Sequence, residues 1–377
     1  MNRRLLIYEP LTGGHRPDFI RHLVAALARK SAPGPVRFAL PPGFFENEPA
    51  LETAIRGLAP NVELVQTPDR PATGLALLQA VEEFHADRLL LLELTRWENF
   101  LCLHRLPCQW AGILFVQYPE IDWRSASGAE KIFRLLRRTA KEAKTTVWLR
   151  RQSPQAVFLL NGDRAARDLN VRFPDRPVFR EVPDPAPPPA SRLSRAVGLP
   201  LRFLFPGALS ERKGCGVLLE ALARIRSETA RAAEFAFLGF AEDGARLRVG
   251  VDRLRARRAD VRLVLEDRFV PEDEFRIRFA EADWILMPYL RPEYSSGILA
   301  RAAAAGTPVL GPSDGLLGRL ITQWNLGRTV RIESGELARA LDATVREPMI
   351  SDPESRNSFL DRCRPELFSS ALLGCFD

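Results

Sequence analysis

Long apolar runs are missing from the sequence: nowhere in its 377 residues do about 18 apolar residues follow one another, the length that crosses a membrane. Only a few apolar residues lie between Met1 and Glu9, too few for the apolar core of a signal peptide. The hydrophobic fraction of 46% is ordinary for a globular protein. We therefore expect a cytoplasmic protein whose N-terminal residues form a first strand.

Cysteine and histidine are scarce as well. The five cysteines are an odd number without the paired spacing of a zinc site, and the four histidines form no cluster that would complete a set of metal ligands. This pattern argues against a disulfide framework and against a structural metal. The sequence predicts reduced thiols, no bound metal and no cofactor.

Lysine is rare among the basic residues, since arginine supplies most of the 54 positive charges. The net charge is +7, but the basic residues are scattered and form no aromatic-interleaved patch, so we expect no nucleic-acid partner. Lys213 is the only lysine after Lys144, which favours a specific contact over a solvated surface turn. A basic helix over residues 130–151 is a candidate for peripheral membrane contact, with a solvated helix face as the alternative.

Strand-like and helix-like segments alternate along the chain, which predicts an α/β protein with parallel sheets covered by helices. In the first half, strand patterns recur at Val36–Leu40, Val62–Gln66, Leu89–Leu94, Ile113–Gln117, Ala156–Leu160 and Val178–Val182. The stretch from Val182 to Pro189 is mostly proline, which excludes helix and central strand and indicates a linker.

The linker divides the chain into two similar parts. We expect a Rossmann-like domain over residues 1–182, a proline-rich linker over 183–200, a second Rossmann-like domain over 201–347, and C-terminal helices over 348–377 that pack back towards the first domain. In such folds, ligands bind at the carboxyl ends of the strands, so a cleft between the two domains is the expected site.

Two loop-to-helix junctions have the composition of an anion site. Gly13 and Gly14 follow the first strand and let backbone approach a ligand, with His15 beside them as a candidate general base. In the second half, Gly207 ends a strand, and Arg212 and Lys213 enter a helix, which is typical of a phosphate contact. A tight turn and a solvated surface turn are the respective structural alternatives.

A third junction runs from Pro292 to Val309, between two short buried strands. Ser295 or Ser296 is expected to cap an alanine-rich helix, and the amides through Gly297 can hold a phosphate at its N-terminus. Glu293 stands in the preceding loop, where a carboxylate can take sugar hydroxyls. The alternative for Glu293 is a favourable charge near a helix N-terminus without further function.

These motifs together resemble the GT-B retaining glycosyltransferases of family 4, the glycosyl transferases of group 1. In that family a Glu-x7-Glu motif precedes Ala-x-Ala-x-Gly-x-Pro-Val. In this sequence the residues in register are Glu293, Ala302, Ala304, Gly306, Pro308 and Val309, with Gly207 and Lys213-Gly214 upstream. The resemblance covers most of the second domain and is weaker over the first.

The resemblance implies a GT-B fold, with an acceptor-side domain followed by a nucleotide-sugar-binding domain. It implies metal-independent transfer of a sugar from a nucleotide-diphospho-sugar to a glycan, lipid-linked or small-molecule acceptor, with retention of configuration. Glu293 would contact donor-sugar hydroxyls and Lys213 the diphosphate. The remaining donor-side residues would be Gly13, Gly14, Gly207, Arg212, Ser295, Ser296, Gly297 and Arg301.

The sequence departs from the family pattern at several positions. Arg301 stands where the family has its second glutamate, and Ala208 where it has an arginine, whose charge Arg212 is the candidate to supply. A histidine of the first domain is missing, and Glu93 or His15 is the candidate to replace it. A catalytically silent GT-B protein that binds a nucleotide, a glycan or a protein is therefore the alternative. A sugar epimerase or phosphorylase is a third interpretation.

Overall fold

The chain folds into two compact units, residues 1–185 with 364–377 and residues 186–363. The structure is a computed structural model that describes residues 3–29, 34–46, 48–67, 73–124, 126–189, 198–347, 349 and 352–377. Of the expected linker 183–200, residues 190–197 lie outside the described residues, and residues 183–189 have no regular secondary structure.

Each unit contains one parallel sheet, which confirms the predicted α/β class. The first sheet has seven strands in the order β3-β2-β1-β4-β5-β6-β7 and the second has six in the order β10-β9-β8-β11-β12-β13. The strands of the first are β1 (Leu5–Tyr8), β2 (Val36–Leu40), β3 (Val62–Gln66), β4 (Arg88–Leu91), β5 (Gln109–Ile113), β6 (Ala156–Leu160) and β7 (Phe179–Val182). Those of the second are β8 (Leu201–Pro206), β9 (Ala233–Leu238), β10 (Leu263–Glu266), β11 (Trp284–Leu286), β12 (Val309–Pro312) and β13 (Gly327–Val330).

Helices follow most strands, as parallel crossovers require. Those of the first half are α1 (Arg16–Ala28), α2 (Pro49–Arg56), α3 (Gly74–Phe84), α4 (Glu98–Leu103), α5 (Gly128–Arg151) and α6 (Asp163–Arg172). The later ones are α7 (Cys215–Leu222), α8 (Ser227–Ala232), α9 (Gly244–Arg257), α10 (Glu272–Glu281), α11 (Gly297–Ala305), α12 (Gly315–Gln323), α13 (Ser334–Arg346), α14 (Pro353–Arg362) and α15 (Pro365–Gly374). Over the described residues, no helix combines the length and the apolar composition of a transmembrane span.

In the second sheet, β11 and β12 are buried along their whole length, as expected for strands covered on both faces, and they contain no charged residue. Phe203 and Phe235 stack across β8 and β9 at 5.1 Å between ring centroids, and Phe205 meets Phe237 edge-on at 5.2 Å. On α11, the alanines are almost fully buried, because a small side chain allows close packing. The helix ends at Gly306, whose left-handed φ of +69° favours glycine.

The two C-terminal helices belong to different units. Helix α14 packs on α11, and its Phe359 lies 6.1 Å from Trp324 of the second unit. Helix α15 packs on α1 of the first unit, where Phe368 lies 4.6 Å from Phe19. The C-terminal segment therefore contributes one helix to the core of each unit.

Candidate donor site

The carboxyl end of β8 is built around Gly207, whose φ of +94° lies in the left-handed region. Its N–H donates to the carbonyl of Leu238 at 2.9 Å, which ties the end of β8 to β9. A Cβ on the neighbouring Gly239 would stand 2.1 Å from the Gly207 oxygen, so the two loops approach too closely for any side chain there. This close packing holds the loop after β8 at the candidate site in position.

Lys213 lies near the end of the loop that connects β8 to α7. It ends a short 3-10 helix, Glu211–Lys213, and Gly214 comes next with a φ of +88°. A Cβ on Gly214 would lie 1.9 Å from the carbonyl oxygen of Pro288, so this glycine lets the loop press against the end of β11. The Lys213 ammonium lies 5.3 Å from the ring centroid of Tyr289. The lysine is thus positioned between the ends of β8 and β11.

The first turn of α11 lies next to Gly207 and Lys213. A Cβ added to Gly207 would lie 2.9 Å from the Lys213 ammonium and 3.5 Å from the Ile298 side chain. Gly207, Lys213 and the N-terminus of α11 therefore come together, although about ninety residues separate them in sequence. A helix N-terminus carries unsatisfied N–H groups and a partial positive charge, which adds to that of the lysine.

Space remains open in front of this helix end. A Cβ on Gly297 would have nothing within 4 Å. Glu293 in the preceding loop is only 3% exposed and Ser295 is 8% exposed. The start of α11 thus has open space at Gly297, and the loop before it carries a buried carboxylate.

Of the two serines expected to cap α11, Ser295 and Ser296, the structure places Ser296 at the N-cap position. Ser296 is the N-cap residue of α11, but its side chain makes no capping hydrogen bond. Its hydroxyl lies instead 3.4 Å from the hydroxyl of Tyr289, the ring beneath the Lys213 ammonium. The tyrosine was not singled out from the sequence, and it connects the lysine loop to the first turn of α11.

Arg212 and Arg301 occupy different surroundings. The Arg212 guanidinium lies 5.7 Å from the ring centroid of Tyr294, in the loop that precedes α11. Arg301 forms an ion pair with Glu272 at the start of α10 and lies 5.7 Å from the Phe275 ring centroid. Arg301 stands where the family has a glutamate, and its charge is paired with the Glu272 carboxylate of another helix.

In the first unit, the loop after β1 has the expected backbone. Gly13 and Gly14 have φ values of +72° and +64°, which favour glycine. The His15 ring stacks on Phe115 at 5.0 Å and lies 4.7 Å from Phe19. His15 therefore stands next to the end of β5 on an aromatic surface.

A cluster of charged side chains lies beside this loop and was not predicted as a unit. Arg16 contacts Glu9 through its Nε at 3.2 Å and Glu93 through a terminal nitrogen at 2.9 Å. Burial raises the pKa of Glu9 to about 8, against the opposing effect of Arg16. Burial also raises the pKa of Glu93. A glutamate directly after a buried strand was the sequence signal that could have identified Glu9.

Potential metal ligands do not cluster among the residues that the structure describes. Within the described ranges, no group of three or more His, Cys, Asp and Glu side chains could hold a metal ion. The positive charge near the N-terminus of α11 comes from the side chains of Lys213 and Arg212 and from the helix itself.

One protein-family model matches most of the second unit. Residues 200–346 match the family model described as glycosyl transferases group 1. This segment contains Gly207, Lys213, Glu293 and the whole of α11. A search among curated proteins found no sequence match.

Solved structures match over the whole chain. Sucrose-phosphate synthase from Thermosynechococcus elongatus is 14% identical, with a TM-score of 0.64 over 98% of this chain and 96% of that one. WaaG, a glycosyltransferase involved in lipopolysaccharide biosynthesis, is 15% identical with a TM-score of 0.61, over 98% of both chains. HepE of Anabaena, in complex with UDP-glucose, is 14% identical with a TM-score of 0.57, over 99% and 96%.

Likeness at this level of identity shows the fold rather than the substrate. It agrees with the resemblance that the Glu293 and Lys213 motifs indicated. The chain has the fold of the GT-B glycosyltransferases, and its residues 200–346 match the family model of the glycosyl transferases of group 1.

Proposed function

We propose that the protein transfers a sugar from a nucleotide-diphospho-sugar to a glycan, lipid-linked or small-molecule acceptor, with retention of configuration and without a metal ion. The observation that carries this proposal is the convergence of Gly207, Lys213 and Ile298 in the first turn of α11, with open space at the adjacent Gly297. Such a convergence suits a diphosphate, because a mobile cation and a helix N-terminus both favour negative charge there.

Departure of the nucleoside diphosphate is the step that this site would assist. Negative charge develops on the leaving phosphate as the bond to the sugar breaks, and preorganised positive groups lower that barrier. Lys213 and the first turn of α11 would supply them, with Arg212 as a second cation. Metal independence and retention are supported by the resemblance to family 4.

Recognition of the sugar would fall to the loop before α11. The Glu293 carboxylate is buried, and a buried carboxylate binds hydroxyl groups more strongly than an exposed one because water competes less. The amides from Ser295 to Gly297 would lie beside the sugar and its phosphate. Gly13, Gly14 and His15 in the first unit remain donor-side residues that the resemblance to family 4 implies.

A glycine-to-alanine substitution offers a direct test. At Gly297 an added methyl group meets no protein atom, so Gly297→Ala should fold at least as well as the wild type. If the donor diphosphate occupies the space, the methyl group should weaken UDP binding about tenfold or more in calorimetry. Gly335→Ala is the matched control, since it also lies in the first turn of a helix and its Cβ position is equally open.

Calorimetry and turnover together separate the enzyme from the silent alternative. UDP and GDP are the first probes, followed by hydrolysis of UDP-glucose, the ligand named for the HepE structure. UDP binding that is sensitive to Gly297→Ala and accompanied by hydrolysis supports the proposal. Binding without turnover of any nucleotide-sugar would favour a catalytically silent protein. UDP affinity that is the same in Gly297→Ala and the wild type would contradict the assignment of the donor site to α11.

We propose that the enzyme is cytoplasmic and that helix α5 brings it into contact with membranes. Its exposed side chains include Ile132, Phe133 and Leu136. The same helix carries eight basic and two acidic residues. An apolar stripe flanked by cations is suited to the surface of an anionic bilayer. Such contact would bring the enzyme to a lipid-linked acceptor.

Vesicle binding tests the membrane contact. We expect the wild type to sediment with vesicles that contain phosphatidylglycerol, and less so as salt is raised. Phe133→Asp with Leu136→Asp should abolish sedimentation. Leu75→Asp is the control, because Leu75 is 72% exposed on α3, outside this stripe. Equal binding by all three proteins would overturn the assignment of α5.

A further inference from the structure

Tyr289, in the loop after β11, contacts both parts of the second unit that would attract a diphosphate. The residue is only 3% exposed, so protein atoms surround its side chain. The Lys213 ammonium lies 5.3 Å from its ring centroid. Its hydroxyl lies 3.4 Å from the hydroxyl of Ser296, the N-cap residue of α11. One side chain therefore connects the lysine to the start of the helix.

Backbone hydrogen bonds hold the loop around Tyr289 in place. Its own N–H donates to the Met287 carbonyl at 2.7 Å, and the N–H of Leu290 donates to the Arg212 carbonyl at 3.0 Å. The second bond ties the loop after β11 to the residue directly before Lys213. The position of the ring relative to the lysine is thus set by the backbone of both loops.

The ring gives the lysine a preferred position. An ammonium within about 6 Å of an aromatic centroid is attracted to the negative face of the ring. A lysine side chain in solvent samples many rotamers, and a ligand that fixes it pays this entropy on binding. Contact with Tyr289 reduces that loss. The ring also leaves the ammonium its full charge, which a carboxylate would neutralise, so the charge is available to a phosphate.

The hydroxyl of Tyr289 acts on the other side of the site. A serine at an N-cap ordinarily accepts a hydrogen bond from an N–H of the first helical turn. Ser296 makes no such bond, and its hydroxyl lies beside that of Tyr289 instead. In the usual capping position it would compete with a phosphate for the same N–H groups. The contact with Tyr289 therefore favours an α11 N-terminus that can accept an anion.

We propose that Tyr289 is a positioning residue for the donor diphosphate, whose ring holds the Lys213 ammonium and whose hydroxyl keeps the Ser296 side chain from capping α11. This inference rests on the proposed function, which supplies the diphosphate. The two effects separate by substitution. Loss of the hydroxyl releases only the serine, whereas loss of the ring also releases the lysine.

A double-mutant cycle with UDP calorimetry tests the role of the hydroxyl. Tyr289→Phe keeps the ring and allows Ser296 to cap α11, so UDP affinity should fall about fivefold, the usual strength of a cap. In the Ser296→Ala background no cap can form, and Tyr289→Phe should then change the affinity by less than about twofold. Tyr118→Phe, which removes a buried hydroxyl from the core of the first unit, is the matched control and should bind UDP as the wild type does.

Tyr289→Leu tests the role of the ring. It should weaken UDP binding several-fold beyond Tyr289→Phe, because the lysine loses its aromatic contact. The Ser296→Ala background should not recover this further loss. Equal affinities in Tyr289→Leu and Tyr289→Phe would overturn the role of the ring. Thermal melts identify a variant that fails to fold, and the cycle with Tyr289→Phe is independent of Tyr289→Leu.

The outcomes of the cycle distinguish this inference from the proposed function. Wild-type affinity in Tyr289→Phe would overturn the role of the hydroxyl. An affinity loss of the same size with and without Ser296→Ala would overturn it too, because general loss of packing does not depend on the serine. In both cases the wild type would still bind UDP and hydrolyse UDP-glucose. Failure of the proposed function has another signature, since the wild type would then do neither.

Discussion

The ammonium nitrogen of Lys213 lies 2.9 Å from the position that a Cβ on Gly207 would occupy. The absence of a side chain at Gly207 therefore provides the room in which the lysine lies. Two residues that the sequence suggested as separate parts of a phosphate contact are direct neighbours in space. Their contact should make the candidate donor site sensitive to a single methyl group.

Gly207→Ala should weaken UDP binding about tenfold, because the methyl group would displace the ammonium. The change also strains the backbone, at a cost on the order of 1 kcal/mol for a left-handed residue. Gly198→Ala provides a matched control, since Gly198 has a φ of +92° and open space around its Cβ position. Isothermal calorimetry and thermal melts of both variants measure the two effects. A similar loss of UDP affinity in both would show that strain, not the lysine, is responsible.

Lys213→Gln should lower kcat/KM for UDP-glucose by about 10²–10³-fold, the usual effect of removing one group that stabilises developing charge. Lys213→Arg should restore only part of this, because a branched guanidinium fits poorly into the gap beside Gly207. Lys144→Gln, on α5, should leave steady-state kinetics unchanged. An undiminished rate in Lys213→Gln would exclude the proposed role in leaving-group stabilisation.

Position 301 can be tested through its ion pair with Glu272. If Arg301 binds the donor, Arg301→Gln should weaken UDP binding, while Glu272→Gln, which releases the guanidinium, should not. Both variants should lose a similar amount of stability, about 0.2–1 kcal/mol for a pair at the surface. Calorimetry with UDP gives the comparison. Unchanged affinity in both variants would assign Arg301 to the packing of α11 on α10 alone.

The region around α11 was predictable because its signals are local. A short apolar strand, a run of alanines and a glycine at the helix end predict β11, α11 and Gly306 without knowledge of the rest of the chain. The side-chain partners of the same residues were not predictable. Ser296 contacts Tyr289 rather than its own helix, a choice that depends on how the loop after β11 folds back.

Long-range packing also explains what was missed in the first unit. The strand expected at Ile113–Gln117 lies at Gln109–Ile113, because the chain is buried from Trp110 to Tyr118 and an apolar run does not reveal where pairing stops. The cluster of Glu9, Arg16 and Glu93 joins residues up to 84 positions apart, from Glu9 to Glu93, and forms only when β1 and β4 become neighbours. Local patterns carry no information on that contact.

Glu9 should make the stability of the protein dependent on pH. Its pKa is raised from 4.5 to about 8, mainly by burial, so the folded protein keeps a proton that the unfolded chain releases. The stabilisation associated with this proton is complete below about pH 4.5 and is lost as the pH rises towards 8. Glu9→Gln removes the titration, so its melting temperature relative to the wild type should increase from about pH 5 to about pH 8. Thermal melts at several pH values measure this difference, and a constant offset would mean that Glu9 is already ionised in the folded protein at about pH 5.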